Sequence, residues 1–206
     1  NDNINFAKAV TLTGAVALNS GAGAGTITFQ ETLDGAQTLG LTAGTGAIDF
    51  DGIVGGTTPL GAVTITSAGN VTADAAFSAA SLRQVAGTGT TTFTGALATT
   101  AAAGINVDGT NFDFNSTITS TLGDLDIDAS GTVRFNGAVA MNDAANGLVT
   151  VSNAGLLTIT AAGDMSINGI FSQDGAGAVS TAGDITTTND NINFAKAVTL
   201  TGAVAL

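Results

Sequence analysis

Three aspartates at alternate positions, Asp124, Asp126 and Asp128, have a spacing that could support chemistry. On a β-strand their carboxylates would project from one face, and calcium takes oxygen ligands of this kind. Alternate residues of a strand lie about 7 Å apart, so one ion could not bridge all three without a neighbouring segment. The calcium-binding GGxGxD repeat is absent from the sequence. A solvated acidic face is therefore the favoured interpretation, and a calcium site the alternative.

The chain has few of the residue types that enzymes use for catalysis. Two carboxylates, such as Asp49 and Asp51, could serve glycoside hydrolysis. Carbohydrate sites usually carry aromatic platforms, however, and the chain has no Trp or Tyr. It also has no His and no Cys, which excludes Ser-His and Cys-His nucleophilic catalysis and thiolate metal sites. We therefore expect no enzyme activity and no cofactor other than calcium.

Charge restricts the partners. The chain has 16 acidic and 4 basic residues, for a net charge of −12. Nucleic-acid binders need basic surfaces, and anionic membranes attract cationic segments. No apolar run approaches the length of a membrane span. We expect no nucleic-acid partner and no membrane insertion, and an acidic surface that keeps the protein soluble and attracts divalent cations.

The composition predicts an all-β fold. Hydrophobic residues make up 44% of the chain, enough for a continuous core, and there are 29 Gly but only one Pro. Thr and Val favour strands, whereas Gly, Asn and Asp favour the turns between them. Charged helix formers are scarce, since the chain has one Glu and four Lys and Arg in total.

The first eighteen residues return at the end of the chain. Residues 189–206 repeat residues 1–18 without a difference, a shift of 188 positions. Such identity indicates a tandem array, and repeats decide the architecture before any other signal does. We interpret 1–188 as one full unit and 189–206 as the start of the next. A chain that repeats itself without drift is more typical of a length-building material than of an enzyme.

A weaker repeat lies inside this unit, with a period of about 21 residues, which is in the range of solenoid repeats. Its motif is apolar-x-Phe-x-x-x-apolar, followed by a turn and a second short strand. The aligned positions are Phe6, Phe29, Phe50, Ala73, Phe93, Phe114, Phe135, Ile167 and Phe194. The long step after Phe135 is either an extra partial turn or a bulged loop. A single turn of this length cannot bury its own apolar side, so neighbouring turns must stack into a β-solenoid.

Strand alternation predicts which side chains face inward. In each first strand, the aligned position and the one two before it should point into the core, as in Ile48 and Phe50. Ala73 interrupts the Phe column, and Phe77 is expected to fill the gap. On the outside, Asn115 and Asn136 should form an amide ladder, and Asp113 an ion pair with Arg134.

The phrases GTITF (25–29), GAVTITSAG (61–69), TVRFNGAV (132–139) and LLTITAAGDMSING (156–169) carry a family resemblance. They resemble the repeats of filamentous-haemagglutinin-like exoproteins and related giant bacterial surface proteins. The resemblance implies an exported, right-handed parallel β-solenoid (β-helix) that acts as an adhesin or a stalk. The N-terminal secretion domain of such families has no counterpart in this sequence.

Together these observations predict a structural unit of a long extracellular bacterial filament, sheath or stalk. Its principal partner would be itself, through covalent tandem repeats or end-to-end stacking, with lateral neighbours as further candidates. The alternative is an adhesin-like shaft at the cell surface that binds glycans or proteins through loops such as 55–61 or 140–147.

Overall fold

A computed structural model describes residues 2–144, 147–188 and 190–206, and throughout these ranges the regular elements are β-strands, with no helix. All of the strand pairs are parallel. The strands stack in about nine turns, each with three faces. No helix that could cross a membrane occurs in the described residues.

The first face is a sheet of ten strands, so that nine turns separate its first strand from its last. Its strands are β1 (Ile4–Phe6), β4 (Ile27–Phe29), β7 (Ile48–Phe50), β9 (Val71–Ala73), β11 (Thr90–Phe93), β14 (Asn111–Phe114), β17 (Val133–Phe135), β20 (Leu157–Ile159), β23 (Val179–Thr181) and β26 (Val198–Leu200). Apolar or small residues alternate inward with polar residues outward, as strand geometry requires.

The second face begins after a short corner, in most turns at the last apolar position of the motif. Its strands are β2 (Val10–Thr11), β5 (Leu33–Asp34), the first half of β10 (Phe77–Gln84), β12 (Leu97–Thr99), β15 (Ile118–Ser120), β18 (Val139–Met141), β21 (Met165–Ile167) and β24 (Ile185–Thr187). Single bridges from Val54 to Leu33 and Phe77 connect β5 to β10.

The third face follows after a second corner. Its strands are β3 (Val16–Asn19), β6 (Leu39–Thr42), β8 (Leu60–Ser67), the second half of β10, β13 (Ile105–Gly109), β16 (Leu125–Ala129), β19 (Val149–Asn153), β22 (Phe171–Gln173) and β25 (Ile192–Phe194). β10 runs round the corner between faces, since Phe77–Ala79 pairs with β12 and Leu82–Gln84 pairs with β13.

The predicted all-β solenoid with turns of roughly 21 residues is confirmed. On the first face, the shortest step between register partners runs from Val179 to Val198 and the longest from Val133 to Leu157. The sequence motif predicts two strands per turn, whereas most turns have three, because the last apolar position of the motif begins a strand of its own. Right-handedness stays a prediction.

The motif alignment is wrong at its last two positions. Phe135 is followed on the first face by Ile159, not by Ile167. Ile167 lies on the second face beside Met141, and Phe194 lies on the third face beside Gln173. Of the two alternatives for the long step after Phe135, the extra partial turn is confirmed and the bulged loop is wrong, because the chain completes one turn at Ile159 and then continues to the second-face strand that contains Ile167. The proposed boundary at 188/189 is an inference from sequence, and residues 1 and 189 lie outside the described residues.

A column of phenylalanine rings fills the interior. Phe6, Phe29 and Phe50 are stacked, with centroids 4.9 and 5.4 Å apart. Phe77 lies edge-on between Phe50 and Phe93, at 5.4 and 5.7 Å. The expectation that Phe77 replaces the side chain missing at Ala73 is thus confirmed. A fully buried ring contributes about 1.5–3 kcal/mol through the hydrophobic effect.

Candidate functional site

The third face carries an acidic patch, which we define as Asp108, Asp126 and Asp128. Asp108 lies on β13 and is the register partner of Asp128 on β16, so their side chains project from neighbouring strands. Asp126 projects from the same face two residues before Asp128. Alternation places all three on the outside, because the residues between them, such as Ile127, are fully buried.

Asp126 is the carboxylate that this arrangement perturbs. It accepts a hydrogen bond from Asn106 Nδ2 at 2.8 Å, which favours the charged form. Partial burial, and next the negative charges of Asp128 and Asp108, outweigh that bond and raise the pKa of Asp126. A cation near this patch would lower the repulsion. Arg83 supplies one, with Nη2 3.4 Å from Asp108 Oδ2, in a half-exposed pair of small energetic value.

Asp124 has a different environment from the two aspartates with which the sequence grouped it. It precedes β16, and its Oδ1 accepts a hydrogen bond from the backbone N–H of Leu148 at 2.8 Å, one turn further along. The carboxylate thereby satisfies a backbone donor at a corner. Among the described residues, no three acidic side chains are grouped closely enough to hold a metal ion. Calcium binding by Asp124, Asp126 and Asp128 stays a prediction that this geometry does not support.

The carboxylates considered for glycoside hydrolysis lie on the first face. Asp49 is partly buried in β7, which raises its pKa, and the charges of Asp51 and Asp74 raise it further. A hydrogen bond from Thr72 on the next turn acts in the opposite direction. On this face Asp49 lies between its register partners Thr28 and Thr72. The two carboxylates considered for hydrolysis thus lie near a third like charge, that of Asp74.

The two loops considered as binding elements differ in how they are held. In loop 55–61, Asp34 Oδ1 accepts the backbone N–H of Thr57 at 2.8 Å and of Thr58 at 3.2 Å, so the loop is fastened to the preceding turn. Loop 140–147 includes positions 145 and 146, which lie outside the described residues.

Corner residues form a set of contacts that the motif analysis missed. Asn3, Asn70 and Asn111 lie at or just before the start of a first-face strand, and each Oδ1 accepts a backbone N–H of the following turn at 2.9–3.0 Å. Asp164 and Asp184 do the same on the second face, at 2.9 and 2.7 Å. An Asn or Asp at the beginning of a strand was the available signal. Many of the acidic residues thus bind the backbone rather than a ligand.

A second missed set consists of polar side chains inside the core. Thr91 Oγ1 donates to Gln84 Oε1 at 2.9 Å, and Gln173 Nε2 donates to Asn153 Oδ1 at 2.8 Å. All four side chains are buried. Their amides bond corner carbonyls, as Asn153 Nδ2 does to Gly155 O at 2.6 Å. Their polarity at inward positions was visible in the sequence, and their role is to satisfy backbone groups where the chain turns.

The predicted outer contacts of β14 and β17 are confirmed in one case. Asn136 Nδ2 donates to Asn115 Oδ1 at 2.6 Å, which is the expected amide ladder. Arg134 is the register partner of Asp113, but its Nε donates to Asn136 Oδ1 at 2.8 Å. The predicted ion pair is replaced by this bond, because Asn136 projects from the end of the strand on which Arg134 lies.

No family model, curated protein or solved structure matches this chain. Inferences about its function therefore rest on its own geometry and sequence.

Proposed function

We propose that this chain is a structural repeat unit of a long extracellular filament, sheath or stalk, built as a covalent tandem array of units that each correspond to residues 1–188. Its work is mechanical: it spans distance with a continuous hydrogen-bonded stack and presents an acidic surface to the solvent. Extracellular location and bacterial origin rest on the family resemblance of the repeats.

The observation that carries the proposal is the way in which the duplicated segment continues the stack. β25 and β26 belong to the second copy of the first eighteen residues, and they pair in register with β22 and β23 of the first unit. Phe194 packs against Phe171, with ring centroids 5.3 Å apart. The start of a second unit is therefore compatible with the end of the first, both in backbone pairing and in the core.

The surface supports a mechanical role over a catalytic one. The aspartates with raised pKa values lie among like charges on the outer side of the sheets, and others accept backbone N–H groups at corners. The net charge of −12 would keep neighbouring filaments apart unless cations screen them. Lateral association would thus depend on ionic conditions.

The competing function is an adhesin shaft that binds glycans or host proteins. Loop 55–61 is the described segment assigned to that role, and Asp34 holds it against the preceding turn. Binding of the isolated chain to a glycan array, lost on Asp34→Ala, would favour this function over a purely mechanical one.

The test is the mass and location of the native product. We expect antibodies against this chain to detect, under fully denaturing conditions, a species many times larger than its 19.8 kDa. Immunogold labelling should decorate extracellular fibres on unpermeabilised cells. A denatured species of about one unit would contradict the covalent array and favour end-to-end stacking. Label confined to the cell interior would overturn the filament.

A further inference from the structure

The two copies of the repeated segment occupy different faces of the solenoid. β1 and β25 have the same sequence, but β1 lies on the first face and β25 on the third. In the same way, β2 lies on the second face and β26, its copy, on the first. From β1 to β25 the chain makes eight complete turns and then advances two faces more. One sequence period is therefore not a whole number of turns.

An arrangement with both copies on the first face would require an unusually short turn. Ile192 would then have to pair with Val179 of β23. Even the shortest step between register partners on that face extends further, from Val179 to Val198, because each turn must supply three strands and three corners. The chain between β23 and β25 has room for the second-face strand β24 and its corners, and for no further face.

The third face can hold the second copy of β1 because inward and outward side chains alternate in the same way on all three faces. Ile192 and Phe194 point inward and Asn193 outward, which is the burial pattern of Ile4, Asn5 and Phe6 on the first face. The register partners of β25 are Phe171, Ser172 and Gln173, which have the same inward–outward order.

We infer that each successive unit of the array begins two faces further round the solenoid axis than the unit before it, so that three units complete one structural period. This inference rests on the proposed function, since it requires the tandem array. Each surface feature then recurs on all three faces in turn. The acidic patch lies on the third face of the first unit, and on each of the other two faces in the units that follow. A filament built in this way has no unique side, and a second filament would meet the same chemistry from any direction.

The chain has no cysteine, so pairs of introduced cysteines can test on which face the second copy begins. Ser172→Cys with Asn193→Cys joins outward register partners of β22 and β25. Ser180→Cys with Thr199→Cys does the same for β23 and β26, and serves as the positive control. Ser180→Cys with Asn193→Cys would be adjacent only if the second copy began on the first face. The probe is dibromobimane, a short bifunctional thiol reagent, and the readout is the intact mass of the chain.

We expect the first two pairs to be bridged by one reagent molecule in most chains, and the third pair to react without bridging. Circular dichroism of each variant would show that the β-fold is retained. Bridging of the third pair, or failure of the first pair while the control is bridged, would overturn the inference. A native protein with the mass of a single unit would contradict the tandem array but would leave the bridging result unchanged. Failure of the proposed function can therefore be distinguished from failure of this inference.

Discussion

At the scale of single residues, the side chains at inward positions are the main contacts that hold neighbouring turns together. Phe50 is fully buried, and its ring contacts Phe29 and Phe77 at centroid distances of 5.4 Å on each side. Each ring thus bridges the turn before it and the turn after it. Since the turns make contact only with their neighbours, damage at one position should loosen that part of the stack first.

Phe50→Ala should lower the free energy of unfolding by about 3–5 kcal/mol, because it leaves a cavity between two stacked turns. Amide protection against hydrogen exchange should fall first in β4, β7 and β9, before distant turns are affected. The matched control is Gln30→Ala, an exposed position directly after Phe29, which should change stability by less than about 0.5 kcal/mol. Equal effects of the two variants in urea titrations would contradict the role assigned to the ring column.

Asp126→Asn should stabilise the protein at neutral pH. The folded state raises the pKa of Asp126, so between the ordinary pKa and the raised one the folded chain binds more protons than the unfolded chain. Native stability therefore falls as pH rises from the ordinary pKa of an aspartate through the raised one. The asparagine removes the charge but can still accept the hydrogen bond from Asn106.

The urea midpoint of Asp126→Asn should thus exceed that of the parent chain at about pH 7, and the gain should vanish at about pH 3. Asp113→Asn is the control, because this aspartate lies beside Arg134 on another face and should give no such gain. A gain for Asp126→Asn that persists in acid would show that charge repulsion is not its source.

At the scale of elements, the sequence predicted the first face far better than the second. β4 and β7 were visible because Ile27, Phe29, Ile48 and Phe50 repeat an inward pair at a constant position in each turn. β5 has only two residues, Leu33–Asp34, too few for alternation to appear. Ile167 was misplaced because all three faces share one inward–outward pattern and similar glycine corners. A local motif therefore identifies a strand but not its face.

Gly104 lies at a corner where a side chain should be poorly tolerated. Its φ is +55°, a conformation that favours glycine, and a Cβ there would collide with the backbone of Asp124 on the next turn. We expect Gly104→Ala to destabilise the protein by at least about 1–2 kcal/mol, the cost of that conformation for other residues.

Gly40 offers the matched control for Gly104. It lies within β6, where the nearest atom to an added Cβ is 3.8 Å away. Gly40→Ala should be neutral or raise stability by about 0.5–1 kcal/mol, because alanine loses less backbone entropy on folding. Thermal unfolding of both variants would test the pair, and equal losses would show that the corner is not sterically closed.

Divalent cations should act on the acidic patch by screening rather than by specific coordination. Asp124 is engaged with Leu148 N–H, away from Asp126 and Asp128, so the three do not share an ion in this geometry. Calcium and magnesium at equal ionic strength should raise the unfolding midpoint alike. A rise specific to calcium, and abolished by Asp124→Asn, would instead support the calcium site that the sequence predicted.

At the scale of the whole molecule, the equivalence of the three faces explains both what was predictable and what was not. The exact repeat was evident from the sequence, and so was the stacking of turns that the weaker repeat of about 21 residues requires. The face on which the second unit begins was not evident, because it depends on how many strands one unit supplies. That number is fixed by β5 and the other short second-face strands, which alternation could not detect. Counting faces, rather than matching motifs, is what relates one unit to the next.

A chain of two complete units should therefore unfold as a longer solenoid, not as two independent domains. β25 already pairs with β22 and β26 with β23, so the second unit begins on a template that the first provides. In a linear array, the free energy of unfolding is a sum of contributions from the turns and from the interfaces between them. The m-value, which is the slope of that free energy against denaturant concentration, grows with the surface that unfolding exposes.

If the two units form one cooperative stack, the m-value in urea should rise by up to about twofold over that of the present chain. The matched control is a two-unit chain with Ile192→Asp and Phe194→Asp, which places two charges at inward positions of β25. That variant should lose the gain, because buried unpaired charges break the contact between turns. An unaltered m-value in the unmodified two-unit chain, with two separate transitions, would show that the units fold apart and that the junction seen between β22 and β25 does not couple them.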